Sequence, residues 1–201
     1  MAMTPIDACK AIQLVRGQAI VVCTMTSMNV LDTLAPNQAL TLSSVPLMGG
    51  AAALGLGIAL AQPDRKIIVL DGDSSLLMEL GVLSTVVGPY PSNFYHFVFA
   101  NRVQFNGNFA LGLSGEGKAD FAAHARAAGY RAASHWETTE DLSQLSDWLQ
   151  QPGPRLVELE MEPSPSRLSA DNPPAQTTDA RFARMGQEAA AIRHSFGFES
   201  E

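Results

Sequence analysis

The stretch that decides the fold runs from residue 67 to residue 81: Ile67-Ile68-Val69-Leu70-Asp71-Gly72-Asp73-Ser74-Ser75-Leu76-Leu77-Met78-Glu79-Leu80-Gly81. Its first four residues are apolar without interruption, which reads as a strand buried on both faces. The strand ends in two acids around a glycine, and the serines that follow open a helix predicted over residues 75–87. Gly72 permits a tight turn and close approach of the backbone to a ligand. A buried strand that passes straight into a helix is one unit of a parallel sheet, and ligands on such sheets sit at the carboxyl ends of the strands.

The same rhythm holds on either side. Residues 7–15 read as a short helix, 19–23 (AIVVC) as a buried strand, and 48–61 as a tightly packed helix rich in Ala, Leu and Gly. Residues 95–100 (YHFVFA) and 155–161 read as strands, and 121–128 and 139–149 as helices. Apolar strands alternating with helices predict an α/β fold, a parallel sheet covered by helices on both faces. The loops to inspect follow Cys23, Leu70 and Ala100.

Residues 1–162 are read as one domain. Residues 163–178, PSPSRLSADNPPAQTT, carry four prolines among small polar residues and read as a linker or wrapping arm. Residues 179–201 hold a C-terminal helix in which Phe182, Met185, Ala189, Ile192 and Phe196 form one stripe. That stripe is expected to dock on the domain or on a partner.

The chain has 201 residues, 46% of them hydrophobic and 16% charged, so it can bury a sizeable core and is not a disordered composition. Thirteen basic against twenty acidic residues leave a net charge of −7, which argues against nucleic-acid binding. No apolar run reaches transmembrane length, and the first ten residues lack a secretory pattern, so a cytoplasmic, membrane-free protein is expected. Cys9 and Cys23 are too few for a four-cysteine metal or cluster site and read as buried thiols.

A glycine turn that ends in a carboxylate suits a phosphate only if a cation stands between the two. A hard divalent ion such as Mg²⁺, with its preference for oxygen ligands, would supply that bridge. Asp73 is the first candidate ligand. Asn101, 28 residues on at the next strand end, is a second, and the backbone carbonyl of Val103 is a third. The local pattern also fits an ordinary turn, since Asp, Gly, Ser and Asn are all common turn residues.

The order strand, Gly72-Asp73-Ser74-Ser75, helix, strand, Asn101 resembles the thiamine diphosphate motif, with Ser74 where a second glycine is usual and Arg102 where Asn or Gly is frequent. With Met48-Gly49-Gly50-Ala51, GLGIALAQPDRKIIVLDGD, DFAAHARAAGY and GPRLVELEM, the resemblance extends over roughly residues 5–162. Within that superfamily LDGDSSLLMELG looks most like the sulfopyruvate and phosphonopyruvate decarboxylases.

The resemblance implies a diphosphate-binding (PP) domain for thiamine diphosphate and Mg²⁺. Asp73 and Asn101 would bind the metal by side chain and Val103 by its carbonyl, while Gly72, Ser74 and Ser75 would contact the diphosphate. Met48 would prop the cofactor in its bent shape, the carbonyl of Pro46 would accept from the aminopyrimidine amine, and Thr24 to Thr26 would form a loop beside the cofactor. The implied function is a subunit of a 2-oxo acid decarboxylase, a lyase. The activating Glu would lie on a separate pyrimidine-binding (PYR) subunit in an α₂β₂ assembly, so no catalytic residue is assigned to this chain. A carboligating subunit and a non-catalytic regulatory subunit are the alternatives.

Overall fold

Residues 67–72 form β3 (Ile67–Gly72), two residues longer than the apolar run that predicts it. Ile67 and Val69 enter one core and Ile68 and Leu70 the other, the alternation of a strand buried on both faces. β3 sits inside a six-stranded sheet with β1 (Ile20–Cys23), β2 (Thr41–Ser43), β4 (Phe94–Ala100), β7 (Ala132–Trp136) and β8 (Arg155–Glu160). The spatial order is β2-β1-β3-β4-β8-β7, and every neighbouring pair is parallel. β5 (Val103–Asn106) and β6 (Phe109–Gly112) form a separate antiparallel pair just after β4. The computed structural model describes residues 1–36, 38–45, 47–106, 109–113, 118–162 and 178–197, with backbone alone at 105–106, 109–110 and 178–179. The Pro-rich segment 163–177 lies outside the described residues.

Helices cover both faces, as the alternating pattern predicts. α1 (Pro5–Val15), α2 (Met25–Leu34) and α7 (Leu145–Gln150) bury Cys9, Ile12, Met28, Leu31 and Leu149 against one face. α3 (Ala51–Ala61), α4 (Asp73–Met78), α5 (Val82–Val87), α6 (Phe121–Ala128) and α8 (Thr178–Ser195) cover the other. The small residues of α3 let it approach β3 closely: a Cβ on Gly55 would stand 2.5 Å from Val69 Cγ2.

Several boundaries differ from the sequence reading. The helix expected over 75–87 is two short helices, α4 and α5, separated at residues 79–81. The helix expected from residue 48 begins at Ala51, which leaves Met48 in the preceding turn. The helix over 139–149 opens as a 3₁₀ turn (Thr139–Gln144) before α7. Residues 25–26, read as loop, are the first turn of α2. β2, β7 and α2 were not predicted. β2 has three residues, β7 (AASHW) is a largely half-buried edge strand, and α2 carries Thr, Ser and Asn, which are indifferent helix formers.

α8 lies along the β2 edge. Ile192 of the predicted stripe is buried, and Met185, Ala189 and Phe196 pack against the core, but Phe182 is 42% exposed. Two arginines turn inward beside them: Arg181 is 5% and Arg184 8% exposed. Arg184 donates to Asp32 at 2.9 Å and pairs with Glu188 at 3.1 Å, while Arg181 reaches Asn29 and Asp32 on α2. Buried charge is retained here because each cation faces a carboxylate. Among the described residues no helix is long and apolar enough to cross a membrane.

The chain leaves β1 for β2 on one side and then returns to β3 on the other. That reversal opens a crevice between the carboxyl ends of β1 and β3, the general ligand position in open α/β sheets. Thr24 and Gly72 close those two strands.

Candidate functional site

The site is built where three parallel strands end side by side. After β3, Gly72 is the N-cap of α4, and Asp73, Ser74 and Ser75 form its first turn. After β1, Thr24 caps α2 and is buried. After β4 come Asn101, which is buried, and then Arg102 and Val103 at the start of β5. A Cβ on Gly72 would stand 3.9 Å from Ser75 Cβ and 4.0 Å from Thr24 Oγ1, so these three residues border one space.

Asp73 organises the group. Its side chain is 1% exposed; Oδ1 accepts the N–H of Ser74 at 2.7 Å and Oδ2 accepts the N–H of Arg102 at 2.6 Å. The second bond ties the β3 end to the residue just after Asn101. Asn101 Oδ1 in turn accepts the N–H of Val103 at 3.2 Å. Burial pushes the Asp73 carboxyl up to about 6, against the pull of the N–H groups of Arg102 and Ser74. A carboxylate held this far from water is costly alone, and a neighbouring cation would remove that cost. With the Asn101 carboxamide at the adjacent strand end, the oxygen donors fit a hard divalent ion.

The loop before α3 completes the border. Met48 is 42% exposed, so it stands at the rim of the crevice and not in the core. Its neighbour Gly49 has φ +85° and donates its N–H to Ser75 Oγ at 2.9 Å. A Cβ at Gly49 would lie 2.5 Å from Glu79 Cγ, so both the turn and the fit require glycine. Pro46 lies outside the described residues. Met25, Leu47, Met48 and Met78 leave large apolar side chains exposed on the loop and helix ends of this same edge.

Three features escaped the sequence reading. Asp71 and His96, paired in adjacent strands, are both fully buried with Nε2 and Oδ2 3.4 Å apart. The strand pattern could have revealed them, since His96 sits inside an apolar run and Asp71 directly follows one. Glu160 grips the guanidinium of Arg102 through Nε at 2.9 Å and the terminal nitrogen at 2.5 Å. The only basic residue of the motif loop is therefore already paired with a carboxylate. Gly49 is the third, and Met48-Gly49-Gly50 was its signal.

Other features stand apart from this site. A cavity of about 570 Å³ opens at the amino ends of β1 and β3, lined in part by Arg16, Gln62, Arg65 and Lys66. That is the opposite end of the sheet from Asp73, and Arg16 is committed there to Thr41 and to the carbonyls of Ala19 and Leu40. Cys9 and Cys23 are buried free thiols; burial pushes Cys23 up to about 12 and raises Cys9 further, which leaves both unreactive.

Comparison with known proteins identifies the family. A family model described as the thiamine pyrophosphate enzyme C-terminal TPP binding domain matches residues 19–159. Phosphonopyruvate decarboxylase of Streptomyces viridochromogenes is 42% identical over 120 residues, covering 59% of this chain and 30% of that protein. Sulfopyruvate decarboxylase subunit beta of Methanothermobacter thermautotrophicus is 47% identical over 55 residues, 27% of this chain and 29% of that one. The chain thus spans about three tenths of the length of each of these relatives. Among solved structures, a thiamin diphosphate-dependent enzyme from Mycobacterium smegmatis superposes with a TM-score of 0.69 at 24% identity, over 80% of this chain and 32% of that one. That likeness shows a shared fold. The match over residues 19–159 decides the family: the chain belongs to the thiamine pyrophosphate enzymes, as a member of their C-terminal TPP binding domain family.

Proposed function

We propose that this chain is the diphosphate-binding half of a thiamine diphosphate- and Mg²⁺-dependent 2-oxo acid decarboxylase, completed by a pyrimidine-binding subunit. The observation that carries this reading is the convergence of Asp73 and Asn101 at adjacent strand ends, joined by the Arg102 N–H on Asp73 Oδ2 at 2.6 Å. Asp73 and Asn101 would hold the metal by side chain, with the Val103 carbonyl beside them. Gly72, Ser74, Ser75 and Thr24 would border the diphosphate, since no side chain at Gly72 intrudes between Thr24 and Ser75. Met48 would meet the organic part of the cofactor from the rim, and the carbonyl of Pro46, by the resemblance alone, would accept from its amine.

When bound, thiamine diphosphate supplies the carbon nucleophile and electron sink that release CO₂ from a 2-oxo acid. This chain's own part is to bind and orient. Asp73 keeps its carboxylate aimed by two backbone N–H donors, and Ser75 holds Gly49, which sets the turn that carries Met48. The chain supplies no carboxylate for the pyrimidine ring in this reading. That group would come from the partner, seated on the apolar rim of Met25, Leu47, Met48 and Met78. The beta-subunit relative supports a two-chain enzyme, and an α₂β₂ assembly is the proposed form.

Titration calorimetry of the chain with thiamine diphosphate, with and without Mg²⁺, tests the site. Metal-dependent binding that disappears in D73A supports it, and binding that ignores the metal refutes it. Decarboxylation assays with and without a pyrimidine-binding subunit test the division of labour. Full activity in this chain alone would overturn the split site.

A further inference from the structure

Arg102 adopts φ +59°, the left-handed region that a residue with a Cβ occupies only when its surroundings impose it. Backbone and side chain of Arg102 are both held. Its N–H donates to Asp73 Oδ2 at 2.6 Å, and its carbonyl accepts the N–H of Leu113 at 3.0 Å. Its guanidinium makes a two-pronged contact with Glu160, Nε to Oε1 at 2.9 Å and the terminal nitrogen to Oε2 at 2.5 Å. Such paired contacts fix orientation as well as distance.

The sheet register explains why Glu160 can do this. Glu160 is the partner of Ala100 in the β4–β8 pairing, and Met161 donates its N–H to the Ala100 carbonyl at 3.1 Å. The carboxylate therefore leaves β8 beside the point where the chain turns after β4. His135 on β7 stands 3.5 Å from the same carboxylate. Glu158, two residues back on the same face of β8, joins this cluster: its carboxylate, that of Glu160 and the His135 ring come within 4.8 Å of one another, and it accepts the N–H of Ala122 at 3.1 Å.

We propose that Glu160 is a positioning residue for the cation site: it clamps Arg102 in the left-handed turn, which seats the Arg102 N–H on Asp73 and holds Asn101 at the strand end. The inference rests on the proposed cation site and goes beyond it by assigning a role to a residue on a strand that carries no ligand. A glycine would adopt this turn without restraint; an arginine needs its side chain tied down. Here the restraint is supplied from β8, a tertiary neighbour that the motif itself does not contain.

The test compares E160A, R102A and R102G in the full chain. Two quantities are read: the affinity for Mg²⁺ with thiamine diphosphate by calorimetry, and the thermal midpoint without ligand. E160A and R102A should weaken binding about tenfold, equivalent to about 1.4 kcal/mol, which lies within the cost of a left-handed residue. R102G should recover most of that loss, and its unliganded midpoint should lie above that of R102A, the reverse of the usual order of Ala and Gly.

If R102A binds like the unaltered chain, Glu160 merely neutralises Arg102 and the proposal fails. If R102G is no better than R102A in both readouts, the turn is not what the clamp protects, and the proposal fails again. Should the unaltered chain take up no Mg²⁺ and thiamine diphosphate, the cation-site reading falls. The order of R102G and R102A midpoints then still decides whether the clamp sustains a strained turn.

Discussion

Glu188 on α8 accepts two hydrogen bonds from Ser43 on β2, from its N–H at 2.7 Å and from its hydroxyl at 3.1 Å, across 145 residues of sequence. The carboxylate thus satisfies a backbone donor on the outer edge of the sheet, a group that would otherwise be open to pairing with another chain. The same carboxylate holds Arg184, which also reaches Asp32. R184A should leave Glu188 without its cation and Asp32 with Arg181 alone, and cost about 3 kcal/mol. A lowered thermal midpoint with intact secondary structure by circular dichroism is the expected result. An unchanged midpoint would show that α8 contributes nothing to the edge.

D73N keeps the shape of the ligand and removes its charge. Metal-dependent thiamine diphosphate binding should fall at least about 100-fold, more than the usual effect of outer-shell changes. Circular dichroism should be unchanged, because Oδ1 still accepts one of the two N–H bonds. Calorimetry in matched Mg²⁺ buffers measures the effect, and retained affinity would refute Asp73 as a ligand.

Gly55 sets two opposing effects against each other. Alanine in a helix interior gains about 1 kcal/mol over glycine. A Cβ at 2.5 Å from Val69 Cγ2, inside a strand buried on both faces, forces overpacking that costs about 1–3 kcal/mol. The second effect should win, so G55A should lower the urea midpoint without changing its slope. A raised midpoint would mean that α3 and β3 can separate at little cost.

Glu158 predicts a pH dependence. Burial raises its carboxyl above the ordinary range, while the Ala122 N–H and His135 pull it down. A group whose folded value is raised binds its proton more tightly in the native state. The stability it lends is present below the unfolded value and is lost as pH rises through the folded one. E158Q keeps an acceptor for Ala122 and carries no charge. Its midpoint should therefore fall less between pH 4 and neutrality than that of the unaltered chain, which thermal scans across that interval would measure. Parallel pH profiles for the two proteins would reject the assignment.

How far the sequence could be read depended on whether a signal was local. The run Ile67–Leu70 announces a strand because unbroken apolarity reports burial on both faces at once, and the structure agrees. Asp73 and Asn101 are legible as a pair for the same reason: each follows directly on a well-marked strand. β2 and β7 are edge strands with few apolar neighbours, so their sequences carry little of that signal. The inward turn of Arg181 and Arg184 beside the apolar stripe of the C-terminal helix was not legible, because their acids lie on α2 and on the helix itself.

Residue order alone was enough for the alternation of buried strands with helices, the parallel sheet and the strand ends at which an acid and an amide emerge. Those are consequences of burial and chain direction, which short windows record. That β8 lies next to β4, that Glu160 meets Arg102, and that α8 seals the β2 edge depended on the assembled molecule. Such contacts join residues far apart in the chain, and only the packing of one sheet neighbour against another makes them neighbours.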